Sequence, residues 1–253
     1  MREKTILSML DHPNIIRLHT SFQNAENLYF VLEYHELGDL KSKIDSKMSI
    51  ENVKLLTLQI INALEYMREH KVVHRDLKPQ NILIDKNQEW IISDFGAAKV
   101  INYEEVEKDL KQLKLETDLS NETFSDFEMS FRTNTEEDNM LQKQHTFVGT
   151  PLYVSPEMLQ HNIALFSSDL WALGCIIYEW LLGVPPFNGK TQYEVFAKIL
   201  DCSLEIPSDL DQDAEDLILK LLDIDPFSRI GAGEIGSGND LDAIRKHPFL
   251  NSG

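Results

Sequence analysis

The stretch between residues 74 and 96 constrains the fold most. Two apolar runs, Ile82-Leu83-Ile84 and Trp90-Ile91-Ile92, are separated by Asp85-Lys86-Asn87-Gln88-Glu89. Branched and aromatic residues on both sides of a short polar turn read as a β-hairpin. A hairpin brings its two ends back to one side. The residues just before it are His74-Arg75-Asp76-Leu77-Lys78-Pro79-Gln80-Asn81, and those just after it are Asp94-Phe95-Gly96. Asn81 is thus presented by one strand end and Asp94 by the other. Any single Asp or Asn here reads as a turn residue. The set, in this order around a hairpin, reads as a site.

The rest of the chain can build a sizeable core. It has 253 residues, of which 42% are hydrophobic and 26% charged, enough for one or two globular domains. The net charge of −18 argues against electrostatic binding to nucleic acid or to an anionic membrane. The longest apolar run, Leu170 to Tyr178, is too short to cross a bilayer, so no direct membrane insertion is expected. Cys175 and Cys202 lie in apolar helical patterns and read as buried, reduced thiols. Met1-Arg2-Glu3-Lys4 is not a signal peptide. These features predict a cytoplasmic protein.

Residues 1–10 read as a helix with Ile6, Leu7 and Leu10 on its apolar face, stopped at Asp11-His12-Pro13-Asn14. Ile15–Leu18 and Leu28–Leu32 read as strands around the turn Asn24–Asn27. A helix is expected to start at Gly38-Asp39-Leu40. Ser49 reads as the cap of another, with Val53, Leu56, Ile60, Leu64 and Met67 at helical spacing. Ser168 is the expected cap of a buried helix running to Leu182, with Gly183 at its end. Asp169, in its first turn, needs hydrogen-bond donors at that depth. Further helices are expected around Val195 and Ile199, over Ala214–Leu222 and over Leu241–His247. Residues 101–144 carry twelve acidic and five basic residues, and 97–148 contain no Gly or Pro. That composition predicts a disordered acidic insertion. Gly231-Ala232-Gly233-Glu234-Ile235-Gly236 matches G-x-G-x-x-G but follows a helix stop rather than a strand, so it reads as a flexible loop.

H-R-D-L-x-x-x-N over His74–Asn81, D-F-G beginning eighteen positions after Asp76, and Ser155-Pro156-Glu157 in the place of A-P-E together resemble the eukaryotic protein kinases. The tract from Gln144 to Glu157 is similar to the AGC group of serine/threonine kinases, nearest its phosphoinositide-dependent branch. The resemblance implies an α+β, protein kinase-like fold with a mostly helical large lobe. Residues 1–35 would be the rear of the small lobe, namely the helix the family calls αC, two strands and the hinge. Residues 36–253 would be the large lobe. The Gly-rich loop and the ATP-positioning lysine of the family lie upstream of that helix, so the chain reads as N-terminally truncated.

The resemblance also implies ATP and Mg²⁺ as cofactors and proteins as substrates, possibly the activation loops of other AGC kinases. Asp76 and Lys78 would be catalytic, and Asn81 and Asp94 would hold metal. Glu3, Glu33, His35 and Leu83 would serve the nucleotide. Asp39 reads equally as a ribose acceptor and as a helix cap. Thr146 falls at the activation-loop phosphosite, with Arg75, Lys99 and Arg2 as candidate partners for a phosphate. Thr150 would contact Asp76 and Lys78. Arg75, Asp169 and the pair Glu157 with Arg229 would support the site. The rival reading is a catalytically impaired pseudokinase or scaffold, with regulatory protein partners and no phosphate clamp. A tyrosine kinase is disfavoured by Lys78 and by Gly149-Thr150-Pro151.

Overall fold

The computed structural model describes residues 2–43, 49–102 and 152–251. The expected acidic insertion, apart from its first two residues, lies outside them. So do Thr146 and Thr150. Residues 2–43, 49–101 and 152–251 belong to one compact unit.

The hairpin forms as expected. β4 (Ile82–Ile84) pairs antiparallel with β5 (Trp90–Ile92), in the register Ile82 to Ile92, Leu83 to Ile91 and Ile84 to Trp90. Asp85 Oδ1 closes the turn by accepting from the Asn87 and Glu89 amides at 2.7 and 2.8 Å. Backbone bridges extend the hairpin on both sides. Ile15 bridges Ile92 in parallel, with Ile16 N donating to Ile92 O at 2.8 Å. Asp39 bridges Leu83 antiparallel, with Leu40 N donating to Ile82 O at 2.8 Å. The segment after the first helix and the segment after the hinge thus meet on one small sheet core.

Ahead of the hairpin run α1 (Arg2–Met9), β1 (Leu18–Gln23), β2 (Leu28–Leu32), α2 (Ile50–Glu69) and β3 (Val72–Val73). After it comes β6 (Lys99–Val100), antiparallel to β3. α2 starts where expected, with Ser49 Oγ accepting from Asn52 N at 3.3 Å. It buries Val53, Leu56, Ile60, Leu64 and Met67. The remaining described helices are α3 (Pro156–His161), α4 (Phe166–Leu182), α5 (Gln192–Leu200), α6 (Gln212–Leu221), α7 (Leu241–Arg245) and α8 (Pro248–Asn251). α4 is buried on nearly every side. Gly174 lets α6 approach it: a Cβ there would stand 2.9 Å from Leu221 Cβ and from Leu222 Cδ2. No described helix is long and apolar enough to cross a membrane.

Several expectations are corrected. The first strand is Leu18–Gln23, not Ile15–Leu18, because the Asn14 carbonyl and the Ile16 amide, on either side of Ile15, bond Ile92 of the hairpin instead of β2. Gly38-Asp39-Leu40 leads only into a 3₁₀ turn, Lys41–Lys43, before the described residues break off. Ser168 does not cap α4. It sits inside the first turn, accepts from Leu165 N at 3.0 Å and donates to Glu157 Oε1 at 2.6 Å. Cys202 follows α5, at φ 46°, rather than lying in it. Pro248 starts a short helix after ending the previous one. The Gly231–Gly236 loop is tied down: Gly233 N donates to Asn239 O and Gly236 N to Asp240 Oδ2, both at 2.7 Å.

Candidate active site

The residues leading into β4 form one hydrogen-bonded cluster. Lys78 Nζ donates to Asp76 Oδ2 at 2.7 Å. The Asn81 amide donates to Asp76 Oδ2 at 3.0 Å and to the Asp76 carbonyl at 2.8 Å. One Asp76 oxygen is therefore pinned by an ammonium and an amide. The pair stays open to solvent, with the Asp76 side chain 38% exposed and that of Lys78 33%. Because Asn81 spends its N–H₂ on Asp76, its amide oxygen is the end left for a cation.

Asp94 reaches the cluster through the hairpin's other end. Ser93 N and Oγ both donate to the Asn81 carbonyl, at 2.8 and 3.0 Å. Asp94 adopts a left-handed backbone, φ 57° and ψ 74°, which Asp tolerates better than most residues. Its Oδ1 accepts from Gly96 N at 3.2 Å. A Cβ on Gly96 would stand 3.1 Å from Asp94 Oδ1 and 4.0 Å from Glu3 Oε2, so the two acids flank this glycine. Burial, then the Asp94 charge, raise the Glu3 carboxyl above its ordinary value. Two neighbouring acids of this kind call for a cation.

The backbone beneath is held by Asp169. Its Oδ2 and Oδ1 accept from the His74 and Arg75 amides at 2.8 and 2.9 Å. Burial pushes this carboxyl up, against His74, Arg75 and these two amides, which pull it down. Arg75 is also left-handed, at φ 69°, and its Nε donates to Ala97 O at 2.6 Å. Burial, then nearby Arg2, lower the Arg75 guanidinium below its usual value, with Asp169 opposing. A basic pair thus sits beside the loop. His74 donates from Nε2 to Ser93 O at 2.9 Å and accepts at Nδ1 from Asp76 N at 3.3 Å; one tautomer satisfies both. Its ring meets the edge of Phe95 at 4.9 Å.

Further back, Arg229 grips Glu157 with two bonds, Nη1 to Oε1 at 2.8 Å and Nη2 to Oε2 at 2.7 Å. It also donates to Ser167 O and Asp223 O, and its guanidinium lies 5.0 Å from the Trp171 ring centre. Burial disfavours the Glu157 charge, but Arg229 outweighs it and holds the carboxyl below the ordinary range.

On the hinge side, Glu33 N donates to Arg17 O at 3.0 Å, and His35 O accepts from Gly38 N at 3.4 Å. Asp39 Oδ1 accepts from Ser42 N at 3.0 Å, so the capping use is realised. The bridge between Asp39 and Leu83 brings two of the expected nucleotide residues side by side. Asn14 was read only as part of a helix stop. Its side chain donates to Trp90 O at 2.9 Å and its carbonyl accepts from Ile92 N at 2.9 Å, so it fastens the hairpin to the chain after α1. Asn after His-Pro was the available signal. Ser93 carried none.

The donor set fits a hard divalent ion. Among the described residues no group of three or more His, Cys, Asp or Glu could hold a metal. One carboxylate and one amide oxygen suit Mg²⁺, which keeps waters and takes phosphate oxygens rather than a full protein cage.

A hairpin that joins Asn81 to Asp94, an Asp76 pinned by Lys78, and a buried Asp169 under the loop are the arrangement that the resemblance to protein kinases implies. The chain belongs to the protein kinase family: the protein kinase domain model matches residues 1–112 and 109–250. Within that family it is similar to AGC-type, phosphoinositide-dependent kinases. It is 37% identical over 253 residues to 3-phosphoinositide-dependent protein kinase 1 of Rattus norvegicus, covering 99% of this chain and 39% of that protein. The same-named Arabidopsis thaliana protein is 34% identical over 251 residues, covering 98% and 45%. Serine/threonine-protein kinase ksg1 of Schizosaccharomyces pombe is 37% identical over 256 residues, covering 98% and 37%. The chain therefore spans about two-fifths of the length of these relatives. The family uses ATP and a divalent metal and acts on protein substrates.

Proposed function

We propose that this domain transfers the γ-phosphate of ATP to serine or threonine hydroxyls of protein substrates. The observation that carries the reading is the Asp76 carboxylate, fixed by Lys78 and Asn81 beside the end of the hairpin. Asp76 accepts or orients the proton of the attacking hydroxyl. Lys78 sets a positive charge beside the phosphate being transferred. Asn81 and Asp94 would hold Mg²⁺, which neutralises charge on the triphosphate. Glu33, His35 and Leu83 line the adenine side, and Asp39 retains one carboxylate oxygen for the ribose. Glu3, beside Asp94, would pair with the ATP-positioning lysine of the family. Thr146 is the phosphosite, and Arg75, Arg2 and Lys99 are its partners. Thr150 steadies the substrate near Asp76 and Lys78. The activation-loop substrates implied by the resemblance are the first to try. The complete set Asp76, Lys78, Asn81 and Asp94 favours the enzyme over a scaffold.

The test pairs binding with turnover. ATP with Mg²⁺ should raise the melting temperature, and Asp94→Asn should abolish that shift while ATP without metal gives little. Radiolabelled ATP should label protein Ser or Thr. A chain that neither gains stability from the nucleotide nor labels any substrate would support the scaffold. Label on tyrosine would overturn the residue specificity.

A further inference from the structure

Besides Glu157 and Asp169, the described residues include a third buried carboxylate, one with no role in the site above. Glu179, in the last turn of α4, is 0% exposed. A negative charge at a helix C-terminus is disfavoured by the helix dipole, and a buried one needs a partner. Lys41, 138 positions earlier in sequence, supplies it: Nζ meets Glu179 Oε1 at 2.6 Å, from a side chain still 45% exposed. The other oxygen, Oε2, accepts from the Tyr153 hydroxyl. Burial, then this bond to Glu179, push the Tyr153 hydroxyl far above its ordinary value, so it remains a donor. The ionisable groups that meet Glu179 are Lys41, Tyr153 and, one turn back on the same helix, Cys175.

The two anchors have different reach. Tyr153 stands four residues before Glu157, so Glu179 and Arg229 grip the same short run of chain from two sides. Arg229 comes from the large lobe's own core. Lys41 comes from the segment after the hinge, two residues past Asp39, whose bridge to Leu83 lies on the nucleotide side. We propose that Lys41 is a positioning residue. Its ammonium holds the Glu179 carboxylate in place as the acceptor for Tyr153, and so fixes Leu152–Ser155 relative to the hinge side of the cleft. For its catalytic consequence this inference rests on the kinase reading above.

Lys41→Met and Lys41→Arg in the full chain test it. Hydrogen exchange should show about tenfold lower protection across Leu152–Ser155 in Lys41→Met, the loss expected for one charge-assisted hydrogen bond. Amides of α2 should not change, and Lys41→Arg should restore protection. In turnover assays Lys41→Met should raise KM for a peptide substrate by a similar factor and leave KM for ATP unchanged. Unchanged protection in Lys41→Met or equal damage in Lys41→Arg would each overturn the proposal. Exchange reads the anchor whether or not the chain phosphorylates anything. A wild-type chain without activity therefore sinks the functional reading alone.

Discussion

Lys78 meets Asp76 at 2.7 Å, and Arg229 meets Glu157 at the same distance, yet the two pairs sit in opposite surroundings. About a third of each side chain in the first pair is open to water. In the second, Arg229 is 0% exposed and Glu157 4%. The first pair uses a single oxygen of Asp76, which leaves the other for the substrate hydroxyl in the proposed mechanism. The second is bidentate, backed by three carbonyls, by Ser168 and by the Trp171 face. An exposed pair contributes little to stability because water and salt screen it. A buried pair broken on one side leaves an unsatisfied charge. The contrast separates a group kept available for reaction from one that sets the frame.

Asp76→Asn should have the largest effect. It keeps the shape but removes the proton acceptor, and should lower kcat by about 10²–10⁴-fold. Its melting temperature should stay close to wild type, and a large drop there would erase the distinction. Arg229→Ala should act the other way, costing about 3–5 kcal/mol in urea denaturation. A smaller sharpening comes from pH. Glu157 has a folded pKa below its unfolded value, so its share of stability is fully present above about pH 4.3. It is lost as pH falls through the depressed folded value. Denaturation between pH 3 and 7 should show that acid slope in wild type and its loss in Arg229→Ala. Ser168→Ala should be mildest. It deletes one bond to Glu157 and one from Leu165 N, for about 1–2 kcal/mol.

The same contrast explains what was legible in the sequence. The hairpin could be read because short apolar runs and turn chemistry are local, and its ends then located Asn81 and Asp94. α2 could be read from its cap and spacing. Ser168 was misread because a serine near a helix start usually caps it, whereas here Glu157, eleven residues back, claims the hydroxyl. Ile15 and Ile16 were taken for a strand of the first hairpin. Their apolar character was right, but which partner they pair with is decided by packing against Ile92. Lys41, Glu179 and Tyr153 had no local pattern at all. Only the tertiary fold brings them together. Glu157 with Arg229 is expected from the resemblance as a buried pair; what the structure adds is the Trp171 face and the Ser167 carbonyl around it.

Asn14 carries one more consequence. Its side chain and main chain clasp both ends of β5, two residues short of Asp94. The clasp is buried, directional and one residue wide. Any tug on the stretch behind α1 is thereby delivered to the strand that leads to Asp94, much as a rivet passes load between two plates.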